Sequence, residues 1–299
     1  MSRQTSPSTG RAYPLAMACA VLGACRSTVY ARQAEPKAAP GKRGPKTAVS
    51  DEQLLTAIRE VLAENAFHGE GHKKVHVRLR HGRWRMRVGK ERVLRQMRAN
   101  GLLAPVRRMN TRGSRAHDGK IVTDRPNDLW GADATTFWTE EDGLCWFFGV
   151  VDHFNSECVG LEVVKRGDRW AAIESVRSAA RATGGACGPL GAQGVALRHD
   201  WGPQYTADAF RRELRFLGIA EKPAFVGEPE TNGVAERFMR TLKEHCIYLH
   251  HFKSLEEARP IIADFVSRYN REWIIGRLGY RTPAQARAEF LAQQAPRVA

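Results

Sequence analysis

Three apolar, β-rich runs follow one another from Leu129: WGADATTFW, LCWFFGVVDHF and ECVGLEVV, separated only by the polar stretches 139–143 and 155–156. Breaks this short admit hairpins and little else, so the segment is constrained to an antiparallel meander. The pattern then changes. Residues 169–182 are an Ala-rich helix, VALRHD is a fourth strand, ADAFRRELRFLG a helix and GIAEKPAF a fifth strand. A meander followed by strand and helix in alternation predicts an α/β unit, a mixed five-stranded sheet with helices on its faces.

Three carboxylates sit at telling places in that pattern. Asp133 lies inside the first strand, in an otherwise apolar run. Asp200 follows the apolar run Val195, Ala196 and Leu197, with two residues between, and precedes a turn. A Gly/Pro/Thr/Asn-rich segment then leads to Glu236 in the first turns of a helix, with 35 residues between Asp200 and Glu236. Alone, an Asp in a strand is often an edge residue, and a Glu at a helix start is often a dipole partner. Burial changes that reading, because an apolar setting makes a lone carboxylate expensive. Two neighbouring strands and a helix packed across them would gather the three into a hard, oxygen-rich site suited to Mg²⁺ or Mn²⁺ and to displacement at phosphate. Asp152, after FFGVV, passes the same test and is read as a support at the end of the second strand. Arg240 and Lys243 follow Glu236 at helical spacing, with Arg237 beside it, as donors for substrate phosphates. The segment PIIADFVSRYNREW reads as a buttressing helix, with Tyr269 and Trp273 assigned to core rather than to DNA stacking.

The charge is polarised along the chain. Residues 1–127 hold 26 Lys+Arg against 9 Asp+Glu, whereas residues 128–299 hold 21 against 23. The N-terminal half is therefore suited to a polyanion, whose phosphates it would neutralise with counterion release. Residues 15–31 read as helix, Gly23 turn, helix, with Leu15, Ala18, Cys19 and Leu22 on one face; Arg26, Ser27 and Thr28 would open a recognition helix. An ordinary helical hairpin is the alternative at this point. A Pro-rich linker follows. A second helical module, 50–104, opens on a Ser50–Gln53 capping box and a stripe of Leu54, Leu55, Ile58, Val61 and Leu62. Its basic helix near 72–81, the Gly-bearing turn after it and the helix from about 90 carry Arg78, Arg85, Arg87, Lys90 and Arg92 as DNA contacts. Residues 105–127 read as an extended basic connector.

Six cysteines without a CxxC pair argue for reduced thiols and against a His/Cys zinc site. Residues 12–25 after Arg11 have the outline of a signal h-region, but Arg26 follows at once, and no run approaches the ~18 apolar residues of a membrane span. A cytoplasmic protein with no membrane partner is expected.

Taken together, WGADAT with Asp133, HDWGPQYT with Asp200, and ETNGVAERFMRTLKE with Glu236 resemble the DDE motif of the retroviral-integrase superfamily. The likeness is to bacterial insertion-sequence transposases of the IS-three type, in their second-frame (OrfB) product, and is supported by KERVLRQMRANGLL and by YNREW with LGYRTPAQA. It runs from about 50 to 290. It implies a ribonuclease-H-like fold for the catalytic core at 128–290; the residue pattern places all-α helix-turn-helix modules at 1–49 and 50–104 and the connector 105–127 ahead of it, and a tail at 291–299. It further implies that Asp133, Asp200 and Glu236 hold two divalent ions, one serving the attacking oxygen and one the leaving 3′ oxygen, in DNA cleavage and strand transfer at the element's ends. DNA ends, target DNA, further copies of the chain and the first-frame (OrfA) protein are the implied partners. Trp201 stands where the family usually has Asn or Arg, and Trp273-Ile274-Ile275 replaces the commoner Arg-Pro-His. The alternatives are another nuclease of the same fold and a DNA-binding regulator whose core has lost catalysis.

Overall fold

The computed structural model describes residues 5–33, 48–104, 121, 123–183, 187–222 and 232–294. The chain divides into two compact units, 1–48 and 49–299. The first holds α1 (Leu15–Val21) and α2 (Arg26–Gln33), joined through Gly23 at φ +60°. Cys19 is its buried apolar side chain among the described residues. Leu22, expected on the same face, is 57% exposed, because α1 ends at Val21 and Leu22 serves as its cap.

The second unit begins with α3 (Asp51–Glu64), α4 (His72–His81) and α5 (Lys90–Ala99). The Ser50 hydroxyl accepts from the Gln53 N–H, and the Gln53 side chain accepts from the Ser50 N–H, which closes the expected capping box. Leu54, Ile58, Val61, Val75, Leu79, Val93 and Met97 form a core private to these helices. Gly101, at φ +66°, ends α5. Of the basic connector, residues 105–120 and 122 lie outside the described residues.

The sheet contains β1 (Leu129–Thr139), β2 (Gly143–Asp152), β3 (Cys158–Val164), β4 (Ala196–Arg198) and β5 (Ala220–Glu221), in the order β3-β2-β1-β4-β5. The meander pairs antiparallel, and β4 and β5 add on in parallel. This is the mixed five-stranded sheet expected from the sequence. Its last strand is shorter than GIAEKPAF suggested, and 223–231 lie outside the described residues. Around it are α6 (Arg169–Ala182), α7 (Pro203–Thr206), α8 (Asp208–Leu217), α9 (Gly233–His245), α10 (Leu255–Glu272) and α11 (Pro283–Gln294).

Strand alternation sorts the two faces. Trp130, Ala132, Phe148 and Val150 pack with α6 and α8. Phe137, Cys145, Phe147 and Val151 pack with α9 and α10 on the other face. Close approach of α6 to β3 depends on Gly160, where a Cβ would meet the Ser175 carbonyl oxygen at 2.3 Å. Phe67, from the α3–α4 loop, is 2% exposed and belongs to the α9/α10 core, with edge-to-face contacts to Phe265 and Trp273. The stretches 50–104 and 128–290 thus keep their own cores yet share a contact within one unit. Cys145, Cys158 and Cys246 are buried free thiols, as is Cys19. No helix among the described residues is long and apolar enough to cross a membrane.

Candidate active site

Position in the pleat decides where Asp133 points. It shares odd parity along β1 with Gly131 and Phe137, so it lies on the α9 side of the sheet. β4 runs parallel beside β1, with Gly131 paired to Arg198, and this places the loop bearing Asp200 next to the Asp133 strand. Glu236 lies in the first turn of α9, whose start is tied to β1 by the Asn232 side-chain N–H donating to the Ala132 carbonyl at 2.9 Å. The chain order strand, strand, helix sets Asp200 and Glu236 near enough to Asp133 for their charges to act on it.

Their environments differ. Asp133 is half-buried and accepts from the Ala134 N–H at 2.8 Å. Burial, reinforced by the negative charges of Asp200 and Glu236, pushes its carboxyl up to about 7 against the pull of that N–H and of Lys243. Asp200, expected to be sheltered by the apolar residues before it, is exposed and accepts from the Gly202 N–H at 3.0 Å. Glu236 is exposed. Among the described residues no group of three His, Cys, Asp or Glu side chains is disposed to hold a metal ion. Like charges have no reason to converge without a cation between them. The donor set fits a hard cation all the same: every member is a carboxylate, and Asp133 carries an electrostatic cost that a cation relieves.

Two further residues support this edge, and neither was singled out by the sequence reading. His199, fully buried, donates from Nδ1 to the Asp200 carbonyl at 2.7 Å, and its ring stacks on Tyr205 at 5.4 Å. Tyr205 is 1% exposed; burial, Asp133 and Asp200 together hold its hydroxyl proton on well above the usual range. The signal was present in HDWGPQYT, where an aromatic and a His flank the acid, but spacing alone does not say that the rings meet.

Asp152 is fully buried and is held by the N–H groups of Asn127 and Phe154 and by Arg287, although burial still pushes its carboxyl up to about 6. That is the support role expected of it. Tyr269 is core, its hydroxyl donating to the Ser156 carbonyl, and Trp273 packs on Phe67 and Tyr269.

The expected DNA contacts divide into two groups. Arg78 is spent on Glu70, which it grips through two hydrogen bonds at 2.8 and 3.0 Å, and on the Glu272 carbonyl. Arg92 is likewise held by Asp51 and the Val49 carbonyl. These two are structural ties, because each guanidinium finds an acid or a carbonyl within its own unit. Arg85, Arg87, Lys90 and Arg240 are exposed and Lys243 is half-buried near Asp133. Arg26, Ser27 and Thr28 open α2 and are exposed.

Two family profiles, both described as integrase core domain, match residues 123–229 and 217–283. Among characterised proteins, the putative transposase InsD for insertion element IS2E of Escherichia coli K12 is 28% identical over 210 residues, covering 70% of this chain and 93% of that protein. The transposase InsD for insertion element IS2A/D/F/H/I/K of Escherichia coli is also 28% identical, covering 70% and 67%. Among solved structures, a simian T-cell lymphotropic virus intasome in complex with PP2A regulatory subunit B56 gamma aligns at 18% identity and a TM-score of 0.48, over 77% of this chain and 73% of that one. The catalytic core domain of BIV integrase aligns at 19% identity and a TM-score of 0.42, over 56% and 98%.

Proposed function

This chain belongs to the integrase-core family as a bacterial insertion-sequence transposase of the DDE superfamily, and we propose that Asp133, Asp200 and Glu236 are its catalytic carboxylates and hold two divalent ions, Mg²⁺ or Mn²⁺. The enzyme is a polynucleotidyl transferase that cleaves DNA at the ends of its element and joins them to a target. One observation carries the residue assignment. Asp133, half-buried on the α9 face, is pushed up to about 7 by burial together with Asp200 and Glu236. A carboxyl under that load calls for a cation or a proton.

The chain's own residues supply position and charge. β1 and β4 hold Asp133 and the Asp200 loop side by side, and His199 fixes the Asp200 carbonyl. Asn232 anchors the start of α9, so that Glu236 meets the sheet edge at a set height. Arg240 and Lys243, one and two turns further along α9, are read as contacts to DNA phosphates, and Arg85, Arg87 and Lys90 of the helical module as sequence-independent backbone contacts. When bound, the divalent ions supply Lewis-acid stabilisation to the attacking and leaving oxygens of an in-line displacement. Two DNA ends must be handled together, so the working form is read as a homo-oligomer, with the first-frame (OrfA) protein as a further proposed subunit.

The test is strand transfer by the purified chain, with Mg²⁺ or Mn²⁺ and oligonucleotides copying the DNA that flanks its gene. Joined products that vanish with EDTA, with Asp200→Asn and with Glu236→Gln are expected. Joining that persists in Asp200→Asn would sink the carboxylate assignment. Binding without any joining would instead mark a catalytically silent regulator or a missing subunit.

A further inference from the structure

A cavity of about 670 Å³ lies between the start of α4, the flank of α9 and the turn that follows α10. Its walls carry Lys74, Arg237, Arg240 and Arg277, against the carboxylates of Glu70 and Glu244. Glu70 is already neutralised by the two-pronged grip of Arg78. Arg277 is spent on the carbonyls of His153 and Phe154 and on the Ser156 hydroxyl. That leaves Lys74, Arg237 and Arg240 as the cations of the cavity. Arg237 and Arg240 are exposed, with no ion pair among the described residues. The Lys74 ammonium sits 3.2 Å from the centre of the Trp273 ring. Burial first, then Arg78, lowers its pKa to about 8, with Glu70 opposing. An ammonium so placed gains from an anion what the ring face only partly supplies.

Two helices also begin on these walls. Gly71 caps α4 and Gly233 opens α9, and neither N-terminus has a side-chain cap bond, so both present backbone N–H groups and the positive end of a dipole. Arg240, finally, belongs to two places at once. It lines the cavity and stands one helical turn, about 6 Å along the axis, from Glu236.

We propose that this cavity is a phosphate site for the DNA backbone, in which Lys74 of the helical module and Arg237 of α9 jointly hold a phosphodiester of the strand that passes Glu236. The proposal rests on the DNA-processing reading and deepens it, since it makes the docked helical module part of the same DNA path as the carboxylates. Free inorganic phosphate shares the chemistry and is the competing source.

The experiment measures affinity of the full chain for a duplex of its element's end by fluorescence anisotropy across a KCl series, in EDTA so that divalent ions play no part. Lys74→Gln, Arg237→Gln and the double variant are compared with the parent. A shared phosphate predicts that each single change lowers the slope of log K against log[KCl] by up to about 0.9, and that the double lowers it little further. Arg237→Lys, which keeps a cation, should recover most of the slope, whereas mere damage to packing would not be rescued. Melting curves in phosphate and in chloride at equal ionic strength supply the second arm. An unchanged slope in the folded double variant overturns the proposal, and does so even if phosphate raises the parent's melting temperature, for that result would mark a free-phosphate site. Normal end joining with an unchanged slope would reject this site and leave the transposase reading intact. A reduced slope in a parent protein that never joins ends would do the reverse.

Discussion

At Asp133 two demands on one carboxyl oppose each other. Folding places it where burial and two neighbouring carboxylates favour the proton, and the proposed chemistry needs it without one. Its folded pKa of about 7 lies above the ordinary 3.8, so its contribution to stability is fully present below about pH 4 and is lost as pH rises through 7. His153 runs the other way. Burial, then Arg198 and Arg277, lowers its pKa to about 4, so its contribution is present above about 6.5 and is lost as pH falls towards 4. Because His153 opposes it, the Asp133 effect is read against Asp133→Asn: between pH 5 and pH 7 the metal-free parent should lose melting temperature relative to that variant, by several degrees. A shift of about three pKa units corresponds to roughly 4 kcal/mol as an upper bound. Divalent ions should raise the melting temperature more at pH 8 than at pH 5.5, because binding must first displace the Asp133 proton. A metal response independent of pH would count against Asp133 as a ligand. Gly131 makes the neighbouring prediction. A Cβ there would meet Asn232 Oδ1 at 2.5 Å and His153 Nε2 at 2.9 Å, so Gly131→Ala should cost on the order of 1–3 kcal/mol and slow joining by displacing the start of α9. Urea melts and single-turnover joining read the two effects separately.

The helical module at 50–104 separates two kinds of arginine that its sequence makes look alike. Arg78 grips Glu70, whose side chain is only 1% exposed, whereas Arg85 and Arg87 are exposed, with no acid against them among the described residues. Breaking the sheltered pair strands a buried charge, so Arg78→Ala should destabilise the protein by about 3–5 kcal/mol. Arg85→Ala and Arg87→Ala should leave the melting temperature within about a degree and instead weaken DNA binding with a shallower salt dependence. Equal effects of all three on stability would erase the distinction. The same contrast shows what the sequence can convey. Helix positions, the capping box and the meander are written in local pattern and turn chemistry, and they were legible because each depends on neighbours close in the chain; the parallel strands were legible from the alternation of strand and helix. The proposal for the three carboxylates rests on a related reasoning, since strand order and pleat parity fix which face a side chain takes. Arg78–Glu70, His199 on Tyr205, and Asn232 on Ala132 depend on which surfaces meet, and no period in the sequence encodes that. The exposure of Asp200 escaped for the same reason, because an apolar strand before an acid says nothing about the loop after it.

At the scale of the whole molecule, the decisive contact is Phe67. It leaves the helical module, enters the α9/α10 core, and meets Phe265 at 5.9 Å and Trp273 at 4.9 Å between ring centres. Trp273 in turn lies under Lys74 and against Tyr269, so the module meets the body of the sheet domain through an aromatic cluster, beside the hydrogen bond from Arg78 to the Glu272 carbonyl. The charge map suggests a division of labour at 127, with basic residues before it and the proposed catalytic carboxylates after it. In packing, 49–299 forms one compact unit, which begins where the sequence also places a boundary, at 49. Two truncations distinguish these views. Removing residues 1–48 should leave the melting temperature and cooperativity of the remainder nearly unchanged. Removing 1–127 takes Phe67 out of a filled core, and a buried Phe lost to a cavity costs about 3–5 kcal/mol, so the remainder should melt several degrees lower. Phe67→Ala in the full chain should reproduce most of that loss without removing a single basic residue. If the 128–299 fragment instead melts like the full chain, the module is an appendage rather than a wall of the catalytic domain, and its basic face must then find the DNA independently of α9.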